Sequence, residues 1–424
     1  MSDIASSSYW GRRHNVLAMC FLAMFIAYTD RVNISVAAVA MREEFGWTQT
    51  VKGWVLSAFF IGYLLFMVLS GWLAARFGGK RVLALAVIWW SAFTVLTPLA
   101  ASISFTALIA ARIGLGIGEA AVMPAAYDMF SRWVPQVERS RAVSRFLSGI
   151  PIGQVVGFIA TGWLTSRYGW PLSFYVFGAI GFVWAAVWII RVRNSPADDS
   201  RVGGHELAVL QERARDVEQK SPTPWQALLK KPSIIAIFVG HFCNNWGLYF
   251  LLAWLPSYFK EGLGLSMANA SLSAAAPWLA AFFTGNAAGM LADKAIARGV
   301  RVSLVRKITL GVALLSFAGF LLLVRDVHSP ATALLLVCLA AGSLAIGWSG
   351  FPANMLDVAP RHAAVLISVS NTFATIPGIA GVAIAGWIVD TTGTFSAAFL
   401  LTAIISVGGS LFYFVFGDAQ RLDV

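Results

Sequence analysis

The sequence predicts an all-α polytopic membrane protein, with twelve transmembrane helices in two pseudo-symmetric six-helix bundles. Three observations predict it. Apolar runs of spanning length recur twelve times, basic residues gather on alternate loops, and the second half of the chain repeats loop motifs of the first. Composition sets the frame. Of 424 residues, 58% are hydrophobic and 12% charged, with mean hydropathy +0.73, whereas a soluble domain carries about 25% charged residues. Lipid is therefore the main solvent. The net charge of +11 reads as loop bias across a bilayer rather than as a nucleic-acid footprint.

Taking about 20 apolar residues per span, the first half gives candidate helices at 15–41, 51–75, 80–100, 104–128, 141–166 and 170–192. The second half gives 233–259, 266–292, 304–324, 330–352, 361–389 and 395–416. A short polar lead, Met1 to Asn15, precedes a first span too long for a signal-peptide core, so no cleavable leader is expected. The one long polar interval runs from Arg193 to Pro232. Within it, His205 to Lys220 mixes charge with Leu207, Val209 and Leu210, which predicts a short surface helix. The expected organisation is an N-terminal bundle over 1–192, a cytoplasmic linker over 193–232 and a C-terminal bundle over 233–424.

Charge placement supports this topology. With the N-terminus in the cytoplasm, 24 of the 31 basic residues fall on the cytoplasmic side. Only Arg42, Lys52, Arg167, Lys260 and Arg325 fall opposite, while Arg31 and Arg112 remain inside the membrane. That asymmetry predicts both termini inside. The halves also repeat: Gly71-Trp-Leu-Ala-Ala-Arg76 follows span two and Gly289-Met-Leu-Ala-Asp-Lys294 follows span eight. Internal duplication of six spans is a mark of transporters that bind substrate near the midplane between halves.

Four ionisable residues interrupt apolar runs: Asp30 and Arg31 in span one, Arg112 and Glu119 in span four. A charge at bilayer depth costs several kcal/mol, so such residues face a protein interior or an aqueous cavity and have partners. Arg112 and Glu119 are seven residues apart, which puts them on one helix face about 10 Å apart along the axis. Asp30 and Arg31 project about 100° apart, so one can face a cavity while the other reaches toward span four. Two acids and two arginines point to proton-coupled movement of an anion, since arginine grips a carboxylate or phosphate best. The alternative is two structural ion pairs, a costly way to pack helices.

Other polar groups in the spans are candidate cavity residues. Tyr28 and Tyr63 can hydrogen-bond a substrate oxygen, as can Gln154, and Asn33 is placed to line the same cavity. The second half offers Asn244, Asn245, Tyr249, Ser370, Asn371 and Thr372, although small polar groups in spans often serve as interhelical glue. His241 reads as a structural histidine more readily than as a proton relay. The run Gly114-Leu-Gly116-Ile-Gly118 lacks a preceding strand, so it reads as close helix packing rather than a nucleotide loop. Pro124, Pro151, Pro256, Pro277, Pro352 and Pro377 mark expected bends. Cys20, Cys243 and Cys338 lie in apolar segments without metal-ligand spacing and read as buried, inert thiols.

The Gly71 to Arg81 loop, Gly-Trp-Leu-Ala-Ala-Arg-Phe-Gly-Gly-Lys-Arg, resembles the loop signature of the major facilitator superfamily, with Ala75 where Asp often stands. Within that superfamily the chain resembles the anion:cation symporters. The segments that carry this are Tyr28 to Asn33, Arg112 to Pro124, Ser370 to Ile379 and His241 to Tyr249. The resemblance implies the major facilitator fold, proton coupling at Asp30 and Glu119, and anion binding at Arg31 and Arg112. It also raises Asn371 as a substrate contact.

A mechanism follows. With both acids ionised the arginines are neutralised internally, and a proton on Asp30 or Glu119 releases an arginine to bind substrate in a two-pronged geometry. Sugar acids such as hexuronates or aldonates are the first expectation, then an aromatic or other small carboxylate, then inorganic phosphate. Leu56 and Asn244 stand where the vesicular glutamate branch has ionisable residues, which disfavours glutamate. Ile150 weakens the case for a heavily hydroxylated substrate. Proton-antiport efflux would suit acids without paired arginines, and a sensor would carry a signalling domain or lack the charged core. No motif supports an enzyme, a cofactor or a metal. The expected partners are a small anion, protons (with Na⁺ as the alternative coupling ion) and the bilayer. A monomer in a bacterial inner membrane is expected.

Overall fold

The computed structural model describes residues 11–135, 138–211, 228, 230–360 and 362–422, and among them no strand occurs. In the first half, spans one to three are Arg12–Phe45, Gln49–Phe77 and Gly79–Ile103. Span four is Phe105–Glu119 continued by Val122–Trp133, span five Arg139–Leu147 continued by Gly149–Tyr168, and span six Pro171–Arg191. In the second half, span seven is Pro232–Ser257 with a π-helical end Tyr258–Gly262, and span eight is Met267–Ala297. Span nine is Val302–Lys307, Ile308–Val312 and Ala313–Val324 in succession. Span ten is Pro330–Gly347 continued by Phe351–Val358, followed by span eleven, Ala363–Thr392, and span twelve, Ser396–Phe416.

Eleven of the described spans are long and apolar enough to cross a membrane. Span eight is the exception: it has 31 residues but is rich in alanine rather than in leucine or isoleucine. Helix starts follow sequence signals. Thr48, Ser104 and Ser266 each accept a hydrogen bond from the backbone N–H three residues on, the usual satisfaction of an orphan N-terminal donor. Interruptions in spans four and ten also have a cause. Pro124 lacks an N–H and crowds the carbonyl four residues earlier, and the helix of span four stops at Glu119, just before Ala120. Pro352 stands in the same relation to Trp348, just past the end of the first piece of span ten. Pro277 and Pro377 instead lie within continuous helices.

The packing repeats between halves. Span one packs on five and six, two on four, and three on four and six; seven packs on eleven and twelve, eight on ten, and nine on ten and twelve. The halves meet where two packs on eleven and five packs on eight, a reciprocal pairing under the same correspondence. Loop polar contacts repeat as well. Asp128 accepts from Gly79 N–H at the start of span three and from Arg132. Asp357 accepts from Arg306 at the start of span nine.

The predicted linker helix is present over Gly204–Gln211; its remainder, 212–220, lies outside the described residues. Glu206 accepts from the N–H groups of Arg12 and Arg13, the first two residues of span one. Asp199 pairs with both Arg12 and Arg201. Burial pushes the Asp199 carboxyl up, but hydrogen bonds from Arg201 and Arg12 outweigh it and hold the group at about 2. Cys20 and Cys243 are buried and Cys338 half-buried, and all three are free.

Candidate functional site

The site is built on the crossing of spans two, three and four. A Cβ on Gly116 would strike the backbone of Phe59, and one on Gly62 the backbone of Ile113. Gly114 and Gly118 face span three, where added Cβ atoms would meet the rings of Phe93 and Trp89. The glycine run therefore does what close helix packing requires. It brings Arg112 and Glu119, each 1% exposed, into the centre of the first half.

Arg31 takes the span-four direction. Its Nε and Nη2 donate to Glu119 Oε2 at 3.2 and 2.8 Å. Its guanidinium also stacks over Tyr28, Phe59 and Tyr63, at 4.4, 4.7 and 5.1 Å from the ring centroids. These aromatic faces fix the orientation of the planar cation. Asp30, its neighbour, turns the other way, toward Trp90 and Thr94 of span three and toward Arg112. Trp90 and Thr94 lie against its carboxylate without a well-aligned hydrogen bond, and among the described residues Nε and Nη1 of Arg112 are buried without a partner. Among the described residues these four charges form one ion pair, Arg31 with Glu119, rather than the two of the structural alternative.

Arg31 and Arg112 line one small cavity with Ile34, Ser35, Leu56 and Phe60 of the first half and Tyr249 of the second. Phe60 and Tyr249 close it with ring centroids 4.5 Å apart. Tyr28 and Tyr63 are not part of the cavity lining but lie against the Arg31 guanidinium that is. Asn245, one turn before Tyr249, donates to Ala374 O of span eleven and keeps a buried, unpartnered Oδ1. Gln154 is buried on span five beside Gly153, whose carbonyl accepts from Thr29 of span one. Asn33 is fully buried with both side-chain polar atoms unpartnered.

Other second-half candidates are not among the residues lining this cavity. Asn244 donates to Leu344 O and faces span ten, and Ser370 bonds His241 Nδ1 at 2.8 Å. His241 stacks on Phe351 at 4.0 Å, so the histidine joins spans seven, ten and eleven. Thr372 bonds Ser368 O one turn back in its own helix, and Asn371 is half-buried beside it. Phe59, Phe60 and Trp90 are site residues that the sequence did not single out. A lone aromatic in an apolar run carries no periodic signal that separates cavity wall from core. Among the described residues no cluster of His, Cys, Asp or Glu could hold a metal ion.

A family model, the Major Facilitator Superfamily, matches residues 20–382. Over 411 residues the chain is 38% identical to the probable anion transporter 4, chloroplastic, of Oryza sativa subsp. japonica, covering 97% of this chain and 69% of that one. It is 35% identical to two proteins of Arabidopsis thaliana. One is an ascorbate transporter, chloroplastic (98% of this chain, 77% of that one), and the other the sodium-dependent phosphate transport protein 1, chloroplastic (97% and 80%). In fold it is similar to a bacterial homolog of the human lysosomal transporter Spinster in an inward-facing and occupied conformation. That match has TM-score 0.78 and 21% identity, and covers 95% of this chain and 96% of that one. Fold, helix count and sequence agree, and the chain belongs to the Major Facilitator Superfamily: it is an integral membrane transporter of the anion:cation symporter type, not an enzyme.

Proposed function

We propose that the protein is a proton-coupled symporter of a small organic anion, working by alternating access of the halves 1–192 and 233–424 about the linker 193–232. The observation that carries this reading is the state of the two arginines. Arg112 holds a buried Nε and Nη1 without a partner among the described residues, in a cavity shared with an Arg31 whose carboxylate partner is Glu119. An unpaired buried charge is costly, and an incoming carboxylate supplies the missing partner with two-pronged geometry. Asp30 and Glu119 are assigned to protons: Asp30 has no pairing cation in contact, and Glu119 releases Arg31 once it is neutral.

The anion is proposed to be a sugar acid. Asn245 Oδ1, one turn before the cavity-lining Tyr249, is a buried acceptor without a partner among the described residues, and a hydroxylated acid that reaches it offers donors. Phosphate is the second reading. It is favoured by the phosphate carrier among the relatives and by the apolar remainder of the wall, Ile34, Leu56 and Phe60. The loop charges support termini on the cytoplasmic side, and a bacterial plasma membrane remains the proposed location although the relatives above are named as chloroplastic.

The test is uptake into proteoliposomes of sugar acids, ascorbate and phosphate, with and without an imposed pH gradient or Na⁺. Accumulation of a sugar acid that collapses with the pH gradient supports the reading. Accumulation that follows Na⁺ and ignores pH overturns the assignment of the acids.

A further inference from the structure

The cavity stops short of the end of the bundle opposite the termini, where a second polar cluster joins the halves. Lys52, near the start of span two, is 0% exposed. Its ammonium donates to Ser257 Oγ at 2.9 Å and to Glu261 at 3.0 and 3.2 Å, all on span seven. It also lies 5.0 Å from the ring centroid of Trp254. Gln49 donates to the same Glu261, and Arg42 at the end of span one pairs with it at 3.6 Å. Asp390 of span eleven receives the N–H groups of Gln49 and Thr50 at 2.7 and 2.6 Å. An acid from one half thus caps the first turn of a helix in the other, where the helix dipole favours it.

We infer that this cluster is a reversible lock that closes the transporter at the end opposite its termini, and that spans two and seven connect it to the anion cavity. The inference rests on the alternating-access reading. On span two, Lys52, Leu56 and Phe60 follow at four-residue spacing; on span seven, Tyr249, Ala253, Ser257 and Glu261 do the same, so each series stays near one helix face. The upper rung is Lys52 with Ser257 and Glu261, the middle is the cavity wall of Leu56 and Ala253, and the lower is Phe60 on Tyr249. The π-helical end at Tyr258–Gly262 carries Glu261 to the ammonium. Glycines let the halves touch: a Cβ on Gly386 would strike the backbone of Gln49. Chemistry makes the lock reversible. The desolvation cost of a buried ion pair offsets much of its attraction, and separation returns both ions to water.

Sealed vesicles give the test. In a chain whose three cysteines are replaced by alanine, Ser35→Cys places a thiol in the cavity wall. A membrane-impermeant thiol reagent is then added on the face opposite the termini. Lys52→Ala and Asp390→Asn should each raise the labelling rate about tenfold, the population shift expected from losing hydrogen bonds to a charged group. The exchange Lys52→Glu with Glu261→Lys should return it toward the parent. Gly386→Val, which blocks closure without touching a charge, should raise it too and covers the case in which a charge variant fails to fold. Unchanged labelling in the folded variants overturns the lock. Labelling is read without substrate or pH gradient, so a failure of proton coupling alone leaves this result standing.

Discussion

Arg31 directs Nε and Nη2 to the same oxygen of Glu119, Oε2, and leaves Oε1 buried without a partner. The carboxylate is held by one edge only. Glu119→Gln keeps the shape and an accepting oxygen but carries no exchangeable charge. Proton-driven accumulation should be abolished, while counterflow of the anion across the same vesicles is retained. Accumulation at the parent level in this variant would sink the coupling role.

Arg112 offers Nε and Nη1 with no hydrogen-bond partner among the described residues. Arg112→Lys retains the charge but loses the planar fork. Anion affinity should fall about tenfold or more, since a charged hydrogen bond is worth about 1.5–3 kcal/mol. Direct binding in detergent at fixed pH measures this, and unchanged affinity would remove Arg112 from the binding site.

Packing at the crossing of spans two and four has its own test. Gly116→Val forces a side chain against the backbone of Phe59, and overpacking of this kind costs about 1–3 kcal/mol. Gly71→Ala, where nothing lies within 4 Å of the added Cβ, is the matched control. The melting temperature in detergent should fall for the first and hold for the second. Equal melting temperatures would mean the crossing is looser than described.

The fold was legible because a bilayer demands long apolar runs and sorts basic residues by side, and both signals survive in a single sequence. The four charges were legible for the same reason, since each breaks such a run. Their pairing was not. Asp30 and Arg31 are neighbours, and only the neighbouring helices decide which reaches Glu119. Pro124 ends the helix of span four at Glu119, and the glycine run sets how near that helix lies to span two. Asn244 is a cavity candidate by its polarity, yet span ten takes its donor. Lys52 counted as one of five loop charges, because a cation near a span boundary looks solvated until Glu261, far along the chain, is folded over it.

Asp199 gives a pH dependence outside the membrane. Its ordinary value of 3.8 falls to about 2 on folding. A depressed acid stabilises the docked linker above its unfolded value. That contribution therefore fades as pH falls from 3.8 and is gone below about 2. Asp199→Asn should speed hydrogen exchange over 196–211 at neutral pH, with the gap to the parent narrowing through that window. A gap that stays constant with pH would detach the linker's docking from this carboxylate.

Span eight, long but alanine-rich, has a consequence for biogenesis. A helix of this composition gains little from lipid tails, so its residence in the bilayer depends on spans five and ten, which flank it. Insertion of the second half is then tied to completion of the first, because span five is made before span eight leaves the ribosome. Internal deletion of span five would therefore leave span eight in the bilayer without one of its two flanking partners.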